Sequence, residues 1–131
     1  MTIELSMLLG SVGVLFAIIF IQSLANIGKF DVIELVGNRE NVPFPQPGFG
    51  GRVQRALANH LESLAMFTPL ILIAHVSGVS TPLTVMASQM VLFARIAHAV
   101  LYLIGIPWAR TIAFMISLVA MGIIVAELIS A

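Results

Sequence analysis

SLAMFTPLILIAHVSGVSTPLTVMASQMVLFA, residues 63–94, holds no Asp, Glu, Lys or Arg in 32 positions. A membrane-spanning helix needs about 20 apolar residues, so the run is too long for one span. Its middle, Ser77-Gly78-Val79-Ser80-Thr81-Pro82, is a cluster of turn formers that splits it into two helices joined by a tight hairpin. Leu5 to Gly28 is a second uncharged run, of 24 residues, and suits a single span. After Arg95 the apolar character resumes, is punctuated at Gly105-Ile106-Pro107, and continues from Thr111 to Ala126. The expectation is an all-α integral membrane protein, a single four-transmembrane-helix bundle over residues 1–131. Its helices are expected at about 4–29, 53–77, 82–105 and 108–130, with one substantial loop at about 30–52.

Composition agrees. Of 131 residues, 60% are hydrophobic and 9% charged, against roughly 25% charged in soluble domains. A 14.0 kDa globule needs a polar coat, and six basic plus six acidic side chains cannot supply one. The mean hydropathy of +1.09 makes lipid the main solvent. Net charge is zero, which leaves no nucleic-acid footprint. Cysteine is absent, which excludes disulfides, thiolate metal sites and a protein-borne thiol nucleophile. The first apolar run is too long for a signal-peptide core and follows Glu4 with no basic residue before it, so it reads as a retained helix. The long loop stiffens at Pro43, Pro45 and Pro47 and ends in Gly48, Gly50 and Gly51, the composition of a compact cap.

Lys29, Arg39, Arg52 and Arg55 surround that loop, and Arg110 follows the turn after the third helix. The opposite face has no Lys or Arg, so the positive-inside rule expects both loops in the cytoplasm and both termini outside it. Ionisable residues within the membrane cost roughly 2.5–3.5 kcal/mol near a helix centre and usually serve a function. Here they fall in stripes. Arg55, Asn59 and Glu62 share one face of the second helix; Arg95, His98 and Tyr102 share one face of the third; Gln22, Asn26 and Lys29 repeat the pattern on the first. With a rise of about 1.5 Å per residue, all of them occupy the cytoplasmic half of the bilayer, and the outer half is expected to be nearly all apolar.

Four helices placing polar groups in one slab imply one shared site. Glu62 with Arg95 is the expected internal ion pair. The plain alternative is that these residues only hold the bundle together, as buried polar groups between membrane helices often do. Arg52 and Arg55 taken alone suit interfacial snorkelling, and Trp108 suits an aromatic belt. His60 and His75 are expected to be interfacial and idle. Three or four cations around one carboxylate, Glu62, nevertheless call for an anionic ligand.

At these residues the chain resembles the MAPEG family, the membrane-associated proteins of eicosanoid and glutathione metabolism. Arg52-Val53-Gln54-Arg55-Ala56-Leu57-Ala58-Asn59-His60-Leu61-Glu62 is similar to the family's Arg-Ala-x-x-Asn-x-x-Glu signature. Arg95-Ile96-Ala97-His98 with Tyr102, then Pro107 and Arg110-Thr111, is similar to its third- and fourth-helix pattern. The resemblance covers essentially the whole chain and looks closest to the short bacterial branch, which implies the bacterial inner membrane. It implies a homotrimer with glutathione bound between subunits near the cytoplasmic leaflet. Arg55, Asn59 and Glu62 would hold the glutathione backbone and amine; Arg95, His98 and Tyr102 would line the pocket; Arg110 with Thr111 would sit beside the sulfur. Lys29 would come from the adjacent subunit. Ala58 and Leu57 depart from the pattern, where some members carry Arg and a polar residue, and so remove two possible ligand contacts.

Glutathione carries two carboxylates and one ammonium, which suits several cations and one carboxylate. Its thiol titrates near about 8.5, and a guanidinium in hydrogen-bond reach favours the nucleophilic thiolate. Arg110 is the expected catalytic residue. The resulting expectation is a glutathione-dependent transferase or peroxidase acting on lipophilic small molecules or lipids delivered by the membrane. The alternative is a non-catalytic lipid-binding or adaptor protein on the same scaffold. An ion pathway is disfavoured by the apolar outer half.

Overall fold

The computed structural model describes residues 1–131, all of them helix, turn or short connection. Four long helices are apolar enough to cross a membrane: α1 (Ile3–Ile27), α3 (Gly48–Val76), α4 (Pro82–Ile104) and α5 (Pro107–Ser130). A short helix, α2 (Val32–Val36), lies in the connection between α1 and α3. The chain is an integral membrane protein built as a four-helix bundle.

Local chemistry sets the helix ends. The α3–α4 hairpin turns at Gly78, whose φ of +71° is the left-handed conformation that glycine adopts freely. Thr81 then caps α4 reciprocally: its hydroxyl accepts from the Thr84 amide at 3.1 Å, and its own amide donates to Thr84 Oγ1 at 2.9 Å. Pro82 opens the helix, where its missing N–H costs nothing. α4 stops at Gly105, φ +81°, and Pro107 restarts the chain as α5. This short link packs α4 against α5 along most of their lengths.

The loop between α1 and α3 differs from expectation. α3 begins at Gly48, so the glycine run forms its first turn and not a flexible entry. Gln46 explains why. Its side chain folds under Gly50, and its carbonyl oxygen lies where a Cβ on Gly51 would stand. Only glycine lets α3 start against that residue. Gln46 also donates from its amide nitrogen to Gln54 Oε1 at 2.8 Å and from Nε2 to Asn26 Oδ1 at 2.8 Å, tying the loop to α3 and α1.

Two apolar clusters fill the bundle. Phe67, Ile71, Ala87, Val91, Ala120, Met121 and Ile124 join α3, α4 and α5; Ile18, Val53 and Ala99 join α1, α3 and α4 nearer the α2 end. Ser63, Ser88 and Ser117 are buried where helices pack, and the hydroxyls of Ser88 and Ser117 bond back to carbonyls of their own helices. Phe16, Phe20, Phe93, Val119 and Ile129 are exposed, as lipid-facing residues should be.

Candidate functional site

Between the two clusters the interior turns polar. Arg95 on α4 is 1% exposed, the largest fully buried side chain in the chain. Its Nη2 donates to Asn59 Oδ1 on α3 at 2.8 Å, while Nε and Nη1 have no partner. The expected ion pair between Glu62 and Arg95 is therefore corrected. Glu62 is exposed on α3 and forms no ion pair with Arg95. The reason is rotational. Asn59 and Glu62 are offset by about 60° around the helix, and Arg95 lies over the former.

One turn along α4, His98 is buried with Nδ1 unpartnered. Its ring meets Tyr102 edge-on at 5.5 Å and Phe114 of α5 at 6.2 Å between centroids. Arg110, in the first turn of α5, places its guanidinium 4.3 Å from the centroid of the Tyr102 ring. The structure thus brings together Asn59, Arg95, His98, Tyr102 and Arg110, with Phe114 added. It does not bring in Arg55, Glu62, Lys29 or Thr111, which are all exposed. Thr111 turns its hydroxyl back to the Pro107 carbonyl at 3.0 Å, and Lys29 lies 5.7 Å over its neighbour Phe30.

His60 is a second correction. It is buried, not interfacial, with Nε2 2.8 Å from the Ser11 carbonyl oxygen on α1. A carbonyl only accepts, so Nε2 carries the proton and Nδ1 is left as a free acceptor. The signal was present in sequence: Val53, Ala56, His60, Ser63 and Phe67 recur at helical spacing, and all are buried. Arg52, expected to snorkel, instead donates from Nε to the Leu103 carbonyl at 3.0 Å and fastens α3 to the end of α4.

The expectation of an apolar outer half also fails. Glu4, Ser80, Thr81, Thr84 and Glu127 gather at the end of the bundle away from Arg110. The larger apolar cluster separates that group from the Arg95 layer, so the bundle shows no continuous polar path.

A small bundle of membrane helices with a cationic, aromatic-lined interior near one end defines a class of protein, and sequence comparison places it. The MAPEG family model matches residues 6–130, and the chain belongs to that family. No curated protein and no solved structure matches it.

Proposed function

We infer that the protein is a glutathione-dependent transferase or peroxidase that acts on lipophilic electrophiles at the cytoplasmic leaflet of a bacterial inner membrane. One observation carries the reading: buried positive charge without a counter-ion. Arg95 leaves two donor nitrogens unused, and Arg110 stacks on the Tyr102 ring that His98 also meets. An isolated buried cation is costly, and a carboxylate or thiolate ligand relieves it. The donor set therefore fits glutathione, which supplies both kinds of anion.

In this reading Arg110 is the catalytic residue. Its guanidinium stays charged, so it favours the thiolate without giving up a proton. The Tyr102 ring holds it in place, and Asn59 does the same for Arg95. Arg95, His98 and Tyr102 would line the glutathione site, and Thr111, one residue beyond Arg110, would stand beside the sulfur. The thiolate attacks the electrophilic carbon of the lipophilic substrate and displaces its leaving group, or opens a strained ring, forming a thioether.

Arg55, Glu62 and Lys29 support a homotrimer. Glu62 lies 14 residues past Gly48, about 21 Å along α3, and faces outward. A carboxylate facing hydrocarbon is unfavourable, so a neighbouring subunit covers this face, with Arg55 and Glu62 binding glutathione across the interface and Lys29 contributed by the neighbour. The topology that follows puts α2 in the cytoplasm and both termini outside.

A second reading, a lipid-binding or adaptor protein without catalysis, has one observation of its own. A groove of about 460 Å³ between α1 and α2 is lined by five apolar residues, Ile19 and Leu35 among them, and by Gln22, Ser23, Asn26 and Arg39. Titration of the solubilised protein with glutathione, followed by thiolate ultraviolet absorbance, separates the two. A saturable signal abolished by Arg110→Ala supports the enzyme. No signal and no thermal shift with glutathione supports the lipid-binding reading.

A further inference from the structure

At the far end of the bundle, Glu4 is 3% exposed although it sits in the first turn of α1. Its Oε1 accepts from Ser80 Oγ at 2.8 Å and lies 2.8 Å from Thr84 Oγ1. Its Oε2 is buried and has no partner. A carboxylate serving only to close the bundle would have both oxygens satisfied, because an unpaired buried charge is among the most costly groups in a fold.

Glu4 is also a wall of a cavity of about 260 Å³, bounded by Thr2, Ile71, Ala74, His75, Gly78, Val79 and Ser80. The chain's Lys and Arg residues all lie elsewhere, so no basic side chain reaches the free oxygen. The only other titratable side chains at this end are Glu127, whose Oε2 already accepts from Thr81 Oγ1 at 2.6 Å, and His75, exposed on the cavity rim. A desolvated carboxylate oxygen, a cavity and a ring nitrogen at its mouth make a receptor for positive charge.

We propose that the Glu4 cavity binds a compact cation, an alkali-metal ion or a protonated primary amine, on the membrane face opposite the Arg110 cluster. The cation neutralises the Glu4 carboxylate from the cavity that Glu4 walls and locks the N-terminus of α1 to the α3–α4 turn. The site is independent of the glutathione reading, and either can fail without the other.

The test is thermal unfolding of the whole protein in a detergent free of amine headgroups, at constant ionic strength, with sodium, potassium, ethanolammonium or tetramethylammonium chloride. A saturable rise in Tm with at least one of the first three, and none with bulky tetramethylammonium, is expected. A sodium or potassium response identifies a metal-ion site; an ethanolammonium response identifies an amine site, of the kind a lipid headgroup can fill. Glu4→Gln, which keeps acceptors for Ser80 and Thr84 while removing the charge, should abolish the response, and Glu127→Gln should retain it. Val79→Phe, which fills the cavity and leaves Glu4 intact, should also abolish it and serves where Glu4→Gln does not fold. Equal effects of all four salts on the wild type, or an undiminished response in Val79→Phe, would overturn the proposal.

Discussion

Arg95 is bonded to Asn59 and not to Glu62, although all three lie in neighbouring turns of packed helices. This sets a stability prediction. Asn59→Ala should destabilise the protein by about 0.6–1.7 kcal/mol, the range measured for polar contacts between membrane helices. Glu62→Gln should leave the unfolding of the separated subunit unchanged. Reversible denaturation in mixed micelles, run as double-mutant cycles with Arg95→Met, measures both couplings.

The stacking of Arg110 on Tyr102 divides ring from hydroxyl. Tyr102→Phe keeps the ring and should leave glutathione thiolate formation within about twofold of wild type. Tyr102→Leu removes the cation–π contact, worth about 0.5–1 kcal/mol, and should weaken it about two- to fivefold. Arg110→Ala should reduce turnover by about a hundredfold or more, as expected when a preorganised charge partner is removed. Stopped-flow thiolate formation and conjugation rates are the readouts; a larger loss in Tyr102→Phe than in Tyr102→Leu would contradict the stacking role.

His60 should matter for stability and not for chemistry. His60→Phe deletes the bond to the Ser11 carbonyl and should lower stability by about 1–3 kcal/mol. Thiolate formation in the folded fraction should be unaltered. A selective loss of thiolate at unchanged Tm would place His60 in the glutathione site instead.

Gly50 and Gly51 offer a paired test of the loop. A methyl group on Gly51 overlaps the Gln46 carbonyl, which is main chain; on Gly50 it meets the Gln46 side chain, which can swing away. Gly51→Ala should therefore cost more Tm than Gly50→Ala. The reverse order would show that Gln46 is not seated as described.

The absence of cysteine makes subunit contacts easy to read. In a Lys29→Cys, Arg55→Cys double variant, mild oxidation should give covalently linked dimers and trimers on denaturing gels. Neither single variant should give trimers. A double variant that stays monomeric after oxidation would contradict the proposed interface.

The four spans were legible because uncharged length is enough to define them, and the α3–α4 hairpin because Gly78, Thr81 and Pro82 each act locally. The gathering of Asn59, Arg95, His98, Tyr102 and Arg110 was legible for the same kind of reason: helical spacing sorts residues onto faces. What spacing does not give is the rotation of one helix against another, and so Glu62 and Asn59 exchanged roles. It also misread depth. Nothing near Glu4 in sequence marks its partners, Ser80 and Thr84, which arrive through the fold alone. His60 is legible on the stripe Val53, Ala56, His60, Ser63 and Phe67, the buried face of α3.

Thr81 and Thr84 join residues that the ribosome makes far apart in time. Thr84 is synthesised 80 residues after Glu4, and Glu127 46 residues after Thr81. The seam at that end of the bundle thus closes only after α5 has left the translocation machinery. Glu4 Oε1 gains its hydroxyl partners once α4 follows, and Thr81 gains the Glu127 carboxylate only with α5, so this end of the bundle closes in two steps remote from the chemistry at the other face.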